Sequence, residues 1–348
     1  MSNMTACRNW LAIDVGGANL KAADGLGYAA SRPFALWRSP ERLAEELAAL
    51  LAAAPRCGSI AITMTGELAD CYATKADGVV AILDAVEQAA AGRLIRVYTT
   101  AGELITPAEA RATPLLAAAS NWHALAAYAA RQTNGEPALL VDLGSTTADV
   151  IPLDVSAVQA RGRTDAERLI HGELVYVGVE RTPICALVRQ LRWRDQACPV
   201  ASELFATTLD VFLILGDITE QSDRTDTADG QPRTRQAART RLARMVCADA
   251  TTFSAGDALA AAESIRDALI AAVEGACCRV ASQMDRQATT VFLSGAGEFL
   301  LRRIFAARPW PADVRSLADA IGSDASVCAP AHALAILASE QFPEGADE

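Results

Sequence analysis

The sequence of 348 residues is poor in several residue types, and each shortage excludes a class of protein. Only 5% of the residues are aromatic, and the three histidines (His123, His171 and His332) have no metal-ligand spacing. The nine cysteines include no Cys-x-x-Cys pair, and the adjacent Cys277 and Cys278 cannot easily bridge each other. The sequence therefore predicts reduced thiols, not a disulfide framework or a zinc site.

Long apolar runs and a positive net charge are also lacking. No apolar run approaches the roughly 20 residues that a membrane span needs, and residues 1–10 lack the charged and apolar regions of a signal peptide. Basic residues number 31 against 42 acidic ones, which gives a net charge of −11. Such a chain repels phosphate backbones and anionic lipid. We therefore expect a cytoplasmic protein with small-molecule partners and no nucleic-acid or membrane partner.

Lysine is the rarest of the common charged residues. Two of the 31 basic residues are lysines, Lys21 and Lys75, and the other 29 are arginines. An ammonium is a compact point charge, whereas a guanidinium is a planar fork. The two lysines indicate sites where only the point charge fits, with chance retention on the surface as the alternative.

Short apolar segments alternate with helical patterns along the whole chain. Strands are predicted at 9–15, 59–64, 94–99, 171–176 and 291–294, and a strand–turn unit at 138–153. Helices are predicted at 40–54, 79–90, 257–283 and over most of 107–131. This alternation is typical of an α/β protein. The turn at 134–137 predicts a boundary between two halves.

Two glycine turns, one in each half, follow buried strands and begin with Asp14 or Asp142. Glycines let main-chain N–H groups approach phosphate oxygens, and Lys21 can neutralise a phosphate. A strand-end carboxylate is costly to bury bare, and hydrated Mg²⁺, or Mn²⁺, resolves that cost beside phosphate. The sequence therefore predicts Asp14 and Asp142 as metal ligands. The predicted phosphate ligands are Gly16, Gly17, Asn19, Gly144, Ser145, Thr146 and Thr147.

A third turn, from Gly295 to Gly297, connects a strand to a helix, which suits a phosphate or ribose at a helix N-terminus. The P-loop pattern and the G-x-G-x-x-G fingerprint are both absent. For each of the three turns, the alternative is a tight turn with no ligand.

Together the three turns resemble the phosphate and adenosine loops of the actin, sugar-kinase and heat-shock ATPase superfamily. The resemblance implies two ribonuclease-H-like domains around a central cleft. The first would span 1–135, with the C-terminal helix 331–342 returning to it. The second would span 136–330 and carry a polar, lid-like loop at 221–236. Whether ATP binds is left open.

A narrower resemblance covers most of the chain. The segments at 13–21, 64–71 (with Lys75), 120–124, 142–149, 178–183 and 227–230 are similar to the hydantoinase/oxoprolinase-like proteins linked to tetrahydromethanopterin one-carbon transfer. Archaeal members of that family are methanofuran-biosynthesis synthases. The resemblance implies a transferase that joins an aminomethylfuran diphosphate to the phenol of a glutamyl-tyramine or tyrosine-type acceptor and releases diphosphate.

Three further side chains receive roles in this scheme. Glu67 follows a strand and could deprotonate the phenol or hold Mg²⁺ through water. Lys75 could reach the diphosphate from the wall opposite Lys21. With these roles, we expect Glu67, Lys21 and Lys75 to be the catalytic residues. Arg181 could bind a carboxylate or phosphate. For Glu67 the alternative is a solvated loop acid.

Other functions use the same loops. An ATP-dependent small-molecule kinase or an oxoprolinase-type hydrolase would bind ATP there, with the Gly295 turn on the adenosine. A nucleotide-switched assembly protein is less favoured. The amphipathic helix at 258–283 belongs to the core or to the surface of a possible homodimer.

Overall fold

The computed structural model describes residues 10–307, 310 and 313–343. The first half consists of β1 (Trp10–Val15), β2 (Asn19–Ala23), β3 (Ala29–Pro33), α1 (Leu43–Ala53), β4 (Ser59–Met64), α2 (Lys75–Ala90), β5 (Leu94–Tyr98), β6 (Leu104–Ile105), α3 (Pro107–Ala112), α4 (Pro114–Ala117) and α5 (Asn121–Ala130). Two 3-10 turns, Leu36–Arg38 and Pro40–Arg42, precede α1.

The second half is longer and contains more helix. It consists of β7 (Ala138–Leu143), β8 (Ala148–Asp154), β9 (Ala157–Val158), α6 (Asp165–His171), β10 (Leu174–Val175), α7 (Ile184–Leu187), β11 (Gln190–Trp193), β12 (Gln196–Pro199), α8 (Thr208–Leu215), α9 (Arg235–Arg244), α10 (Ala255–Ser282), β13 (Thr290–Ser294), α11 (Glu298–Ala307), β14 (Asp313–Ser316), α12 (Leu317–Ile321), α13 (Ser323–Ser326) and α14 (Ala329–Gln341).

The two sheets share a five-strand pattern of the same topology, to which β6 is added in the first sheet and β9, paired with β8, in the second. The strand order is β3-β2-β1-β4-β5-β6 in the first sheet and β10-β8-β7-β13-β14 in the second. In each half an antiparallel hairpin comes first (β1–β2 and β7–β8), and the hairpin's first strand then pairs in parallel with a later strand (β4 and β13). This duplication confirms the prediction of an α/β protein made of two ribonuclease-H-like halves.

The central strands are apolar because they are covered on both faces. Every residue of β1 and of β4 is buried, as expected of parallel strands with helices on both sides. Each half then has its own apolar core, one around β1 and β4 and the other around β7 and β13. Asp14 and Asp142 are the acidic residues within β1 and β7, and each lies one residue before its strand ends.

Two helices pack between the sheets and connect the halves. Helix α14 packs on the first sheet, where Leu334 contacts the cluster around Trp10. Helix α5 packs on the second sheet, where Trp122 and Leu125 lie in the cluster with Leu140. The last helix of the chain therefore lies against the first sheet, and the helix before the boundary turn lies against the second.

Two segments differ from the sequence-based expectation. The strand predicted at 171–176 is shorter in the structure, where β10 covers Leu174–Val175 and helix α6 ends at His171; α6 begins with a capping box of Thr164 and Glu167. Residues 190–199 form the hairpin β11–β12, which the sequence pattern did not predict. In addition, no helix among the described residues is both long and apolar enough to cross a bilayer.

The polar loop at 221–236 is held to the second half by ion pairs. Arg233 is buried and lies 2.7 Å from Asp226 and 3.2 Å from Glu180. Asp229 pairs with Arg241, at 3.0 Å. The role of the loop at 221–236 as a lid stays a prediction.

Candidate functional site

The first two glycine turns are built alike. The Gly16 N–H donates to the Asn19 carbonyl at 3.0 Å, and the Gly144 N–H donates to the Thr147 carbonyl at 2.8 Å. Each turn is half-buried and joins the two strands of its hairpin. The strand-end acid of each half is therefore presented beside a tight turn with the same hydrogen bond.

Asp14 is a buried carboxylate with incomplete hydrogen bonding. Burial raises its pKa, while the charge of Lys21 and a hydrogen bond from Asn121 act in the opposite direction. Its Oδ1 atom is buried and has no hydrogen-bond partner among the described residues. Asn121 begins α5, where the buried Ser120 hydroxyl donates to the Tyr98 carbonyl at 3.0 Å. The structure therefore places the Asn121 side chain on Asp14.

Charges from both halves affect the pKa of Asp142. The pKa of Asp142 is raised to about 6, mainly by burial and then by the negative charge of Asp149, while a hydrogen bond from Ser294 acts to lower it. Across the boundary, Lys21 lowers this pKa and Asp14 raises it. The predicted metal ligands and Lys21 therefore share one electrostatic environment between the halves.

The third turn packs tightly against the second. Gly295 has a φ of +94°, and a Cβ there would lie 2.3 Å from the Leu143 carbonyl oxygen and 2.6 Å from Oδ1 of Asp142. A Cβ on Gly297 would lie 2.5 Å from the Leu143 side chain. These two glycines therefore have a packing role, and their contact with a ligand stays a prediction. Gly17 differs, since a Cβ there would meet nothing within 4 Å.

The loop after β10 covers the second turn. The Val179 N–H donates to the Gly144 carbonyl at 3.1 Å, and the Arg181 N–H donates to the Ser145 carbonyl at 3.0 Å. The Arg181 guanidinium lies 5.0 Å from the ring centre of Trp37 in the first half. Arg181 is exposed, so it lies where the two halves meet and is accessible to a ligand's anionic group.

Glu67 is not a solvated loop acid, because only 1% of it is exposed. Burial raises its pKa to about 7, and this effect outweighs the lowering by main-chain hydrogen bonds and by the charge of Lys75. Its Oε2 atom has no hydrogen-bond partner in the described part of the chain. Helix α2 packs closely behind it: a Cβ on Gly78 would lie 2.3 Å from the Glu67 carbonyl oxygen. This is the environment of a carboxylate that can exchange a proton near neutral pH.

Lys75 makes an ion pair with the second half. Its Nζ atom lies 2.8 Å from Oδ2 of Asp165. Asp165 lies on helix α6, and so does Arg168, which is fully buried. The Arg168 guanidinium lies 2.5 Å from Asp149 and stacks 4.0 Å from the ring centre of Trp122. Sequence reasoning missed Asp165 and Arg168. The capping box around Thr164 was the signal that could have placed them on a helix.

Among residues 10–307, 310 and 313–343, no group of three or more His, Cys, Asp or Glu side chains is arranged to hold a metal ion. Asp14 and Asp142 supply two carboxylates. A cation held by two carboxylates needs further oxygen ligands, which water and phosphate can provide.

Comparisons with known proteins identify the family of this chain. The family model described as hydantoinase/oxoprolinase matches residues 59–341. A (4-{4-[2-(gamma-L-glutamylamino)ethyl]phenoxymethyl}furan-2-yl)methanamine synthase of Methanocaldococcus jannaschii is 34% identical over 335 residues, which cover 95% of this chain and 98% of that protein. A Methanococcus vannielii protein of the same name is 31% identical over 206 residues, covering 59% of this chain and 91% of that protein.

Among solved structures, the polyphosphate/ATP-glucomannokinase of Arthrobacter sp. strain KM aligns with 96% of this chain and 99% of its own, at 13% identity and a TM-score of 0.45. The family match and the two relatives lead to one conclusion: the chain belongs to the hydantoinase/oxoprolinase family.

Proposed function

We propose that the chain is a transferase of methanofuran or methylofuran biosynthesis. It joins an aminomethylfuran diphosphate to the phenol of a glutamyl-tyramine or tyrosine-type acceptor and releases diphosphate. The observation that carries this proposal is the relative of 34% identity, whose match covers 95% of this chain. The name of that relative describes a phenoxymethyl-furan, which is an ether between a phenol and a furfuryl carbon.

The turns at Gly16 and Gly144 hold the diphosphate in this proposal. Main-chain N–H groups and the hydroxyls of Ser145, Thr146 and Thr147 donate to its oxygens, and Lys21 neutralises part of its charge. The residues also fit Mg²⁺, because Oδ1 of Asp14 is a buried oxygen that has no hydrogen-bond donor within the described part of the chain. Asp14 and Asp142 would hold the cation. When bound, Mg²⁺ supplies positive charge beside the leaving diphosphate.

Glu67 takes the proton in the reaction. The bond between the furfuryl carbon and the diphosphate oxygen breaks, and the phenol oxygen forms the new bond to that carbon. The phenolic proton passes to Glu67, and the electron pair leaves with the diphosphate. A furfuryl carbon can bear positive charge, so departure of the diphosphate leads the attack. A base with a pKa of about 7 is suited to accept this proton at neutral pH.

A second candidate function uses the same turns to bind ATP. The family membership favours it, because the family description names hydantoinases and oxoprolinases. A thermal-shift comparison separates the two candidates. The transferase proposal expects stabilisation by Mg²⁺ with diphosphate and none by Mg²⁺ with ATP. Stabilisation by Mg²⁺-ATP alone would favour the ATP-dependent enzyme.

A further inference from the structure

An ion pair joins the two halves beside Glu67. Lys75 is the first residue of α2 in the first half, and Asp165 is the first residue of α6 in the second. Their side chains are 27% and 25% exposed, and the two atoms lie 2.8 Å apart. A pair this enclosed is screened less by salt than a surface pair. The pair links helices α2 and α6, which no short stretch of chain connects.

Both partners of the pair are held in place. Thr74 caps α2 by accepting a hydrogen bond from the Asp77 N–H. On α6, the Arg168 guanidinium lies 3.8 Å from Asp165 and is itself fixed by Asp149 and by the ring of Trp122. Because Trp122 belongs to α5 in the first half, helix α6 contacts that half at a second point.

The pair acts on the Glu67 carboxylate with opposite signs. The positive charge of Lys75 lowers the pKa of Glu67, and the negative charge of Asp165 raises it. These are the charged groups that face Glu67 from α2 and α6. The segment before α5 contributes a main-chain hydrogen bond from Ala119. Glu67 thus lies against α2 and the segment before α5, and the charge of Asp165 acts on it from the second half.

We propose that Lys75 and Asp165 are positioning residues, whose ion pair closes the two halves over Glu67 and sets the charge around its carboxylate. This inference rests on the proposed function, in which Glu67 accepts the phenolic proton. It assigns Lys75 a different role from the diphosphate contact expected from the sequence. Since Glu67 is almost fully enclosed when the pair is formed, substrates enter before the pair closes.

The two partners should shift the acid limb of the kcat/KM profile in opposite directions. Lys75→Met removes a charge that favours ionised Glu67, so the limb moves to higher pH. Asp165→Asn removes a charge that opposes ionisation, so the limb moves to lower pH. For partly screened charges we expect roughly half a pH unit each way. If the ion pair only joined the two halves, the two variants would not shift the acid limb in opposite directions.

Rescue variants separate closure from diphosphate binding. Lys75→Arg keeps a cation for Asp165 and should retain most of the turnover. The exchanged pair, Lys75→Asp with Asp165→Lys, should regain at least tenfold in turnover over the weaker single variant. If Lys75 instead contacts diphosphate, Lys75→Met alone would raise KM for the diphosphate substrate, and the exchange would rescue nothing. Asp84→Asn, which breaks a pair with Arg111 within the first half, is the matched control and should leave the profile unchanged.

A stability measurement makes the inference testable without the reaction. The urea midpoint of each variant is measured from pH 5 to 9, and the same is done for that variant combined with Glu67→Gln. The difference between the two midpoints at each pH reports the titration of Glu67. Opposite displacements of this titration for Lys75→Met and Asp165→Asn support the inference even if no coupling activity is found. Displacements in one direction, or none, overturn it even if the enzyme is active.

Discussion

Lys21 and Asp149 occupy the same position in two copies of one hairpin. Lys21 lies opposite Asp14 in the β1–β2 pair, and Asp149 lies opposite Asp142 in the β7–β8 pair. The duplicated fold thus places a cation in one half where the other half has an acid. Arg168 pairs with Asp149 at 2.5 Å and compensates its charge. Lys21 is left to act on the two strand-end carboxylates and on any anion between them.

The Lys21→Ala variant is expected to lose turnover and not stability. A charge that acts on the developing negative charge of the leaving group contributes on the order of 3 kcal/mol, or about a hundredfold in rate. Lys21→Arg should not restore turnover, because the wider guanidinium misplaces the diphosphate beside the glycine turn. Steady-state kinetics and thermal melts of both variants test this. Near-wild-type turnover in both would show that Lys21 has no part in the reaction.

Gly17→Ala should separate ligand binding from folding. A Cβ at Gly17 meets nothing within 4 Å, so we expect the free energy of unfolding to change by less than about 1 kcal/mol. If the main chain of this turn approaches diphosphate, the added methyl should weaken binding of Mg²⁺-diphosphate at least tenfold. Calorimetric titration gives the affinity, and unchanged binding would mean that the turn has no ligand.

Gly295→Ala serves as the contrasting variant. Its Cβ would lie within 2.6 Å of Asp142 Oδ1, and its φ of +94° disfavours a side chain. We expect a loss of a few kcal/mol in the free energy of unfolding, on the scale of a strained or overpacked position. Urea denaturation measures it. A variant as stable as the wild type would contradict the close packing of the third turn on the second.

Glu67→Gln should stabilise the protein at high pH while abolishing activity. The pKa of Glu67 is about 7 in the folded protein and 4.5 in its ordinary state, so the folded state binds the proton more tightly. Stability therefore falls as pH rises from about 4.5 to 7, and the loss is complete above the folded pKa. Its size is roughly 3 kcal/mol. The amide carries no charge and avoids this loss.

Urea denaturation of both proteins at pH 5 and pH 8 tests this difference. At pH 8 the Gln variant should be the more stable protein, and at pH 5 the two should be closer. The same dependence on pH in both would contradict the burial of an ionisable Glu67.

The wild-type enzyme should show an acid limb in kcat/KM. Activity is expected to rise with pH through about 7, because the proton acceptor must be ionised. Lys21→Ala, although slower, should keep the same limb, since Lys21 is not among the groups that shift Glu67. If the acid limb of Lys21→Ala lay at a different pH from that of the wild type, the titration would belong to a group other than Glu67.

The turns were predictable because their chemistry is local. An acid at the end of an apolar strand, followed by glycine and small polar residues, gives the same signal at Asp14 and at Asp142, and the fold places both between the halves. The helical spacing of leucines likewise predicted α1, and the buried face of Leu43, Leu47 and Leu50 agrees with it.

The pairings between the halves were not predictable. Asp165 is 90 residues from Lys75, so their contact depends on how the two halves pack together. The contact of Asn121 with Asp14 lies within the first half, but it also joins segments that are far apart in the sequence. A single sequence records the residue types at these positions but not which distant element packs against them.

The most direct test of the account is the coupling reaction itself. Purified protein with Mg²⁺, an aminomethylfuran diphosphate and γ-glutamyltyramine is followed by mass spectrometry for the ether and by a diphosphate assay, with and without ATP. The account predicts equal amounts of ether and diphosphate, no need for ATP, and loss of both products in Glu67→Gln. Formation of the ether only with ATP, or ATP hydrolysis without any ether, would contradict it.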